Sequence, residues 1–340
     1  MNILVTGGLG YIGSHAVVAL VKAGYRPIVL DNLSNSLIQV QDRLQQITRK
    51  TIPCYHFDVR DKEALDDLIR EEEIDAVMHF AAYLQVNESV QNPLKYFSNN
   101  IDGCISVLDV CHTHKLPLVF SSSCTVYGNP EKLPVDELAP IKRAESPYGQ
   151  TKIICEQMIE DMCRFKGLQA INLRYFNPIG AHETGLIGEL QFGEPHHLVP
   201  YITETAKGIR KELKVFGSDY DTKDGTCVRD YIHVMDLAEA HVKALEYIRK
   251  SDASTLEQVN IGTGTGATVL EVIQAFEQAT GVKINYTIAE RRPGDVEAIY
   301  ASADKARNLL NWTARRPLEQ ALTDAWNWEQ KSMNFGKNKN

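Results

Sequence analysis

The sequence predicts an α/β protein: a doubly wound parallel sheet with a smaller mixed α/β lobe. Three observations carry this. Strand-like apolar runs alternate with helix-like runs from Asn2 to Tyr175, the order that builds a parallel sheet covered on both faces. A glycine cluster, Gly7-Gly-Leu-Gly-Tyr-Ile-Gly13, follows the first of these runs. Several strand runs end in small or polar residues, at the rim where ligands of such sheets sit. The length of 340 residues suits one large domain with a second lobe. A net charge of −8 argues against nonspecific attraction to nucleic acid or anionic membrane, so anionic ligands must be met by local arginines or helix ends.

Asn2–Thr6 reads as a buried strand, Ser14–Ala23 as a helix closed by Gly24, and Arg26–Leu30 as a second strand ending in Asp31-Asn32. Gly7, Gly8, Gly10 and Gly13 therefore lie between a strand and a helix, where glycines permit a tight turn and close approach to a pyrophosphate. Asp31 suits the ribose hydroxyls and repels a 2′-phosphate, which favours NAD over NADP. The core is thus Rossmann-like. Thr51–Phe57 reads as a strand followed by Asp58-Val59, and Asp61–Glu72 as a helix capped by Asp61. Asp75–Phe80 is a strand ending in Ala81-Ala82, Pro93–His114 a long amphipathic helix, Leu118–Ser122 a strand, Pro147–Phe165 a helix and Gln169–Tyr175 a strand. Gly7–Gly13, Asp31, Phe80-Ala81-Ala82, Ser121-Ser122-Ser123 and Phe176-Asn177 all fall at strand ends.

Beyond Gly180 the pattern loosens. Residues 180–197 read as loop, Leu198–Ile209 as helix and Lys214–Phe216 as strand. Helices follow at Met235–Arg249, Val269–Thr280 and Ser302–Leu310, with strands at Glu257–Ile261 and Ile284–Ile288, and a last helix runs through Trp328. The expected division is a nucleotide-binding domain over 1–180, rejoined by about 228–250, and a substrate lobe mainly over 181–330. Residues 331–340 are expected to fray. No apolar run reaches membrane-spanning length, and Met1-Asn2 leads straight into the first strand. Seven cysteines without a Cys-x-x-Cys pattern read as reduced thiols of a cytoplasmic protein. His112, His114, His196 and His197 lack zinc-site spacing, so no metal is expected.

Tyr148 and Lys152 stand four residues apart in a helix-forming run and share one face. A phenol is a poor base at neutral pH, with an ordinary pKa of about 10. A nearby cation favours its phenolate, which makes the pair a candidate general base for an alcohol proton.

These segments resemble the extended short-chain dehydrogenase/reductases, and within them the nucleotide-sugar epimerases. The resemblance rests on Gly7-x-x-Gly10-x-x-Gly13, Asp31-Asn32, Ser121-Ser-Ser-Cys-Thr-Val-Tyr-Gly128, Tyr148-x-x-x-Lys152, Arg174-Tyr-Phe-Asn-Pro-Ile-Gly180 and Val228-Arg-Asp-Tyr-Ile-His-Val-Met-Asp236. It runs from residue 1 to about 330. It implies interconversion of UDP-glucose and UDP-galactose: oxidation at C4 by retained NAD, a 4-keto intermediate, and hydride return to the opposite face. Tyr148 would take the hydroxyl proton, Lys152 would hold Tyr148 as phenolate, and Ser123 would orient the reacting oxygen. The implied cofactor-binding residues are Gly7, Gly10, Tyr11, Ile12, Gly13, Asp31, Asn32, Asn35, Asp58, Val59, Phe80, Ala81, Ala82, Asn99, Ser121, Tyr148, Lys152 and Tyr175. Arg229 and Arg292 would grip the diphosphate, and Asn177, His197, Leu198, Lys214, Phe216, Asp295 and Ile299 would complete the substrate pocket with Ser123 and Tyr148.

The chain departs from the family pattern in three places. Leu84 stands where a lysine contacts the cofactor ribose, His197 where some members have asparagine, and Ile299 where a tyrosine narrows the sugar pocket. The last predicts room for UDP-N-acetylhexosamines. A 4,6-dehydratase of the same family would need an Asp-Glu pair where Cys124-Thr125 stands. A simple dehydrogenase would release its cofactor each turnover, and a non-catalytic NAD sensor would have no use for the Ser123, Tyr148 and Lys152 set. Family likeness further implies a homodimer, formed by pairing Pro93–His114 and Pro147–Phe165 with their copies.

Overall fold

The computed structural model describes residues 1–252, 254–292 and 295–332. The expected fraying of the C-terminus falls mostly on 333–340, outside the described residues; Lys331 still ends a helix. The strands are β1 (Asn2–Thr6), β2 (Arg26–Leu30), β3 (Cys54–Tyr55), β4 (Ala76–His79), β5 (Leu118–Ser123), β6 (Ala170–Tyr175), β7 (Asn177–Ile179), β8 (Leu213–Phe216), β9 (Val228–Arg229), β10 (Tyr231–His233), β11 (Leu256–Ile261), β12 (Ala267–Thr268), β13 (Tyr286–Ala289) and β14 (Ala298–Ile299). The helices are α1 (Tyr11–Lys22), α2 (Gln39–Thr48), α3 (Lys62–Glu71), α4 (Val86–Gln91), α5 (Pro93–Tyr96), α6 (Asp102–Thr113), α7 (Pro147–Lys166), α8 (Leu198–Ala206), α9 (Val234–Ile248), α10 (Val269–Thr280), α11 (Asp304–Leu310) and α12 (Leu318–Lys331).

Seven strands form one sheet in the order β11-β6-β5-β4-β1-β2-β3, and every pairing is parallel. Its inner strands β1, β4, β5 and β6 are almost wholly buried on both faces, which explains why they read as mainly apolar runs rather than as alternating ones, whereas the edge strands β3 and β11 are only partly buried. One apolar layer joins the sheet to α1, α2 and α9; the other joins it to α3, α6 and α7. The doubly wound expectation holds. A further cluster links α8, β8, α10 and α12 beside the two-stranded β8–β13 and the small β12-β9-β14 sheet.

Local chemistry accounts for the element starts. Asp61 caps α3 by accepting from the Ala64 amide at 3.2 Å. Ser146 caps α7 through the Gly149 amide, with Pro147 at the first helical position. Thr268 and Glu271 form a reciprocal capping box on α10.

Several expectations need correction. Helix α1 begins at Tyr11, not Ser14, because the glycine turn feeds directly into it. The strand expected over Thr51–Phe57 pairs only at Cys54-Tyr55, where β2 gives it a partner. The long helix expected over Pro93–His114 is broken by a π turn at Phe97–Ile101. Helices α2 and α4 lie outside the elements expected from the sequence.

Among the described residues, His15, His79, His182, His233 and His241 are buried. Burial pushes His15 and His79 down to about 3 and His241 down to about 4. Each folded-state value lies below the ordinary 6.5, so the unfolded chain binds these protons first. The stability they confer is complete above about pH 6.5 and is lost as pH falls toward 3–4, by about 1.4 kcal/mol per pH unit for each. The expected outcome is a melting temperature that falls between pH 7 and pH 5, read by calorimetry, and falls less steeply in a His241→Gln variant.

Candidate active site

The strand ends open into one cleft of about 800 Å³ that runs from the glycine loop to Arg292. At one end, the loop folds tightly on itself and on β4. Gly7 has φ +71°, and a Cβ there would lie 2.8 Å from the Ala81 amide nitrogen. A Cβ on Gly13 would lie 2.2 Å from the Gly7 carbonyl oxygen. Helix α1 starts at this cradle with no side-chain cap and no acidic residue in its first turn. Its free amide dipoles suit a pyrophosphate, so the residues fit a dinucleotide.

Asp31 lines the same end and also builds it. Its carboxylate accepts from the Leu9 amide at 3.0 Å, the Leu33 amide at 2.9 Å and the Ser36 hydroxyl at 2.7 Å. The acid expected to meet ribose hydroxyls therefore also holds the glycine loop in shape. Tyr11, Ile12, Asn32, Asn35, Val59, Phe80, Ala81, Ala82, Asn99 and Tyr175 all reach the cleft wall. Asn99 gets there because the π turn lets Asn100 turn inward. The Asn100 amide oxygen accepts from the Tyr83 backbone at 2.8 Å and from Asn99 at 3.0 Å. Leu84 lines the wall without a charge to offer.

Tyr148, Lys152 and Ser123 meet at the centre of the cleft, each less than a tenth exposed. Burial pushes the Tyr148 phenol up to about 12, while its hydrogen bond with Ser123 draws it back. Burial also lowers Lys152, against the pull of Cys155, Cys104 and Glu156. The Lys152 ammonium donates to the Ser121 carbonyl at 2.7 Å and lies 4.9 Å over the Phe120 ring. In the protein by itself the Lys152 charge is anchored to β5, and burial is the larger influence on the Tyr148 phenol. The favourable term that remains is the start of α7, since Tyr148 is its second helical residue and the helix dipole there favours an anion.

At the other end, Asp295 sits between the two arginines. Its carboxylate pairs with Arg229 at 3.3 Å and Arg292 at 3.0 Å. Arg292 also lies 4.9 Å over the Phe216 ring. Asn177, Leu198 and Lys214 complete this wall. His197 lines it too, paired with Glu189 at 2.6 Å. Desolvation opposes its charge, but the Glu189 carboxylate outweighs it, so this imidazole titrates above its usual value.

Three expected site residues are not on the wall. Asp58 is held below the usual carboxylate range by Arg60 and accepts from the Asn32 amide at 3.0 Å; it braces Asn32 from behind. Ser121 is fully buried, with its hydroxyl on His241 Nε2 at 2.9 Å and its carbonyl on Lys152. Ile299 is 6% exposed and packs with Cys124, Val126 and Phe176, one layer behind the wall that Cys124 forms. Sequence reasoning missed Cys124, Thr125, Gln191, Tyr231 and Val269, which do reach the wall. Only Cys124 and Thr125 had a signal, as immediate successors of Ser123. Among the described residues, no group of three or more His, Cys, Asp or Glu side chains is placed to hold a metal.

A dinucleotide cradle opening onto a serine, a tyrosine and a lysine at the switch of a parallel sheet defines an extended short-chain dehydrogenase/reductase. A family model described as GDP-mannose 4,6 dehydratase matches residues 4–325. The UDP-glucose 4-epimerase of Bacillus subtilis is 48% identical over 336 residues, covering 98% of both chains. That of Homo sapiens is 46% identical over 339 residues, covering 97% of both. A crystal structure of UDP-glucose-4-epimerase from Stenotrophomonas maltophila, with bound NAD and formylated UDP-arabinopyranose, superposes with TM-score 0.95 at 46% identity, covering 97% of this chain and 98% of that one. One from Bifidobacterium longum, in complex with NAD+ and UDP, gives TM-score 0.93 at 43% identity, covering 98% and 99%. The chain belongs to the UDP-glucose 4-epimerase family.

Proposed function

We propose that this enzyme interconverts UDP-glucose and UDP-galactose by inverting C4 of the hexose. The observation that carries the reading is a single cleft with the Ser123, Tyr148 and Lys152 group at its centre. The glycine cradle lies at one end and the Arg229–Asp295–Arg292 group at the other. NAD, when bound, supplies the acceptor and donor of the C4 hydride and a positive ring that favours the phenolate.

The protein's own part follows from where its groups stand. Arg229 and Arg292 grip the diphosphate and Phe216 flanks the base, so the hexose is the part left free to turn. Ser123 holds the C4 oxygen, and Tyr148 takes its proton as the carbon is oxidised. The 4-keto sugar has no stereocentre at C4. Once it presents its other face, Tyr148 returns the proton. Lys152, fixed to the Ser121 carbonyl, keeps a positive charge beneath the site throughout. The dehydratase alternative lacks its acid and base: burial pushes the Cys124 thiol up to about 12, and Thr125 carries no ionisable group.

Ile299 stops short of the wall and leaves small Cys124 there, which favours a second reading: UDP-N-acetylhexosamines also enter. Two lobes are the natural division: a nucleotide lobe over 1–180, rejoined by α9 within the expected 228–250 and, beyond that span, by β11, and a substrate lobe mainly over the rest of 181–330. A homodimer through α5, α6 and α7 is supported by the exposed apolar Leu94, Ile105 and Phe165 on these helices. Seven free cysteines, six of them buried, suit the cytoplasm; no described helix is long and apolar enough to cross a membrane.

The purified protein, mixed with UDP-galactose and no added NAD, is expected to form UDP-glucose. Tyr148→Phe should keep its NAD and lose about 10²–10⁴-fold in turnover; full activity there would remove the mechanism. In the same assay UDP-N-acetylgalactosamine is expected to react, and no detectable turnover rejects that wider range. Light scattering at micromolar concentration is expected to give twice the chain mass, and a monomer would remove the dimer.

A further inference from the structure

The face of α7 that carries Tyr148 and Lys152 continues for another turn. Residues 148, 152 and 156 follow one another at intervals of four, and the third is Glu156, a carboxylate only 6% exposed. A buried carboxylate is costly unless its oxygens are met. Here they are met by the two strands that deliver the reaction's other groups. Arg174 on β6 donates its Nε to Glu156 Oε1 at 3.0 Å and its Nη2 to Oε2 at 2.6 Å. The Ser122 hydroxyl on β5 donates to Oε1 at 2.5 Å. Arg174 is itself braced by the Tyr127 hydroxyl at 3.1 Å, which donates onward to Asn260 on β11 at 2.6 Å.

The consequence is a matched series. Three consecutive serines of β5 meet three successive turns of α7. The Ser123 hydroxyl meets Tyr148, the Ser121 carbonyl meets Lys152, and the Ser122 hydroxyl meets Glu156. Ser122 and Arg174 are direct partners in the β5–β6 ladder, as Ser123 and Tyr175 are one residue on. A clamp one turn below Lys152 thus fixes both the depth and the rotation of α7 over the strand ends. An apolar contact could hold the helix down but not its rotation, whereas a forked ion pair with a third hydrogen bond fixes direction as well.

We infer that Glu156, clamped by Ser122 and Arg174, is a positioning residue of the epimerisation, setting where Tyr148 and Lys152 stand relative to the C4 oxygen. It touches neither substrate nor cofactor. Its negative charge also supports the ammonium form of Lys152. This inference rests on the epimerase reading.

The test compares wild type, Glu156→Gln and Ser122→Ala, each assayed per NAD-loaded site with UDP-galactose. Glu156→Gln keeps the shape and removes the charge. It is expected to lower kcat by about tenfold or more, with KM within about threefold. The alkaline limb of its pH profile should move to lower pH, because Lys152 gives up its proton sooner. Ser122→Ala removes one hydrogen bond and should lower kcat in the same direction but less. It carries the test alone if Glu156→Gln does not fold. A loss of folded or NAD-loaded protein with kcat per site within twofold of wild type and an unmoved pH profile overturns the inference. So does a loss carried by KM alone. An inactive wild type instead overturns the functional reading. The positioning is then decided by crystal structures: Lys152 displaced from the Ser121 carbonyl in Glu156→Gln supports it, and Lys152 left at 2.7 Å overturns it.

Discussion

The docking of α7 on the carboxyl ends of β5 and β6 is the constraint on which the site depends. The helix must sit close enough for Lys152 to reach a backbone carbonyl of β5 and for Tyr148 to reach Ser123. That closeness buries a phenol, an ammonium and a carboxylate together. Neighbouring irregularities follow from it. The π turn at Phe97–Ile101 turns Asn100 toward α7, where its amide meets the Thr151 hydroxyl at 3.1 Å. The short 3₁₀ segment Cys124–Tyr127 passes under Gly149, where a Cβ would lie 3.0 Å from Ala144 Cβ and 3.5 Å from Thr125. Regular structure gives way where the catalytic face needs room, as is common at functional sites.

Charge is handled locally in a chain whose net balance is acidic. At the cofactor end the positive field comes from backbone, as the uncapped start of α1 behind a glycine turn. At the far end it comes from two guanidinium groups that Asp295 holds in register. The carboxylate between them offsets part of their charge, yet it keeps two long side chains from spreading. Asp31 shapes the glycine loop while lining the same end of the cleft.

Much of this was legible before any coordinates. The inner strands of the sheet were legible to within a residue or two because burial on both faces makes them mainly apolar, whereas the edge strand at Cys54-Tyr55 was overextended. Helix starts at Asp61 and Pro147 were legible because capping is a local transaction. The site residues that reached the cleft include those at strand ends and on the glycine turn, together with Tyr148 and Lys152 at the start of α7. The misplaced ones failed because position along the chain does not fix depth: Asp58 lies between the wall residues Phe57 and Val59 without lining the cleft, and Ser121 and Ile299 are buried behind it. The break in Pro93–His114 was hidden because the contact that accompanies it, between Asn100 and Thr151 on α7, joins residues 51 positions apart.

The sequence by itself determined the class of fold, the dinucleotide end of the cleft and the pairing of Tyr148 with Lys152, because periodicity, capping and glycine turns act within a few residues. Tertiary structure alone decided what that pair feels. Lys152 is spent on a carbonyl of β5 and Tyr148 is governed by burial, since desolvation and hydrogen bonding are set by neighbours distant in the chain. It also brought Glu156 into line beneath them, where Arg174 and Ser122 close the third turn of the same face.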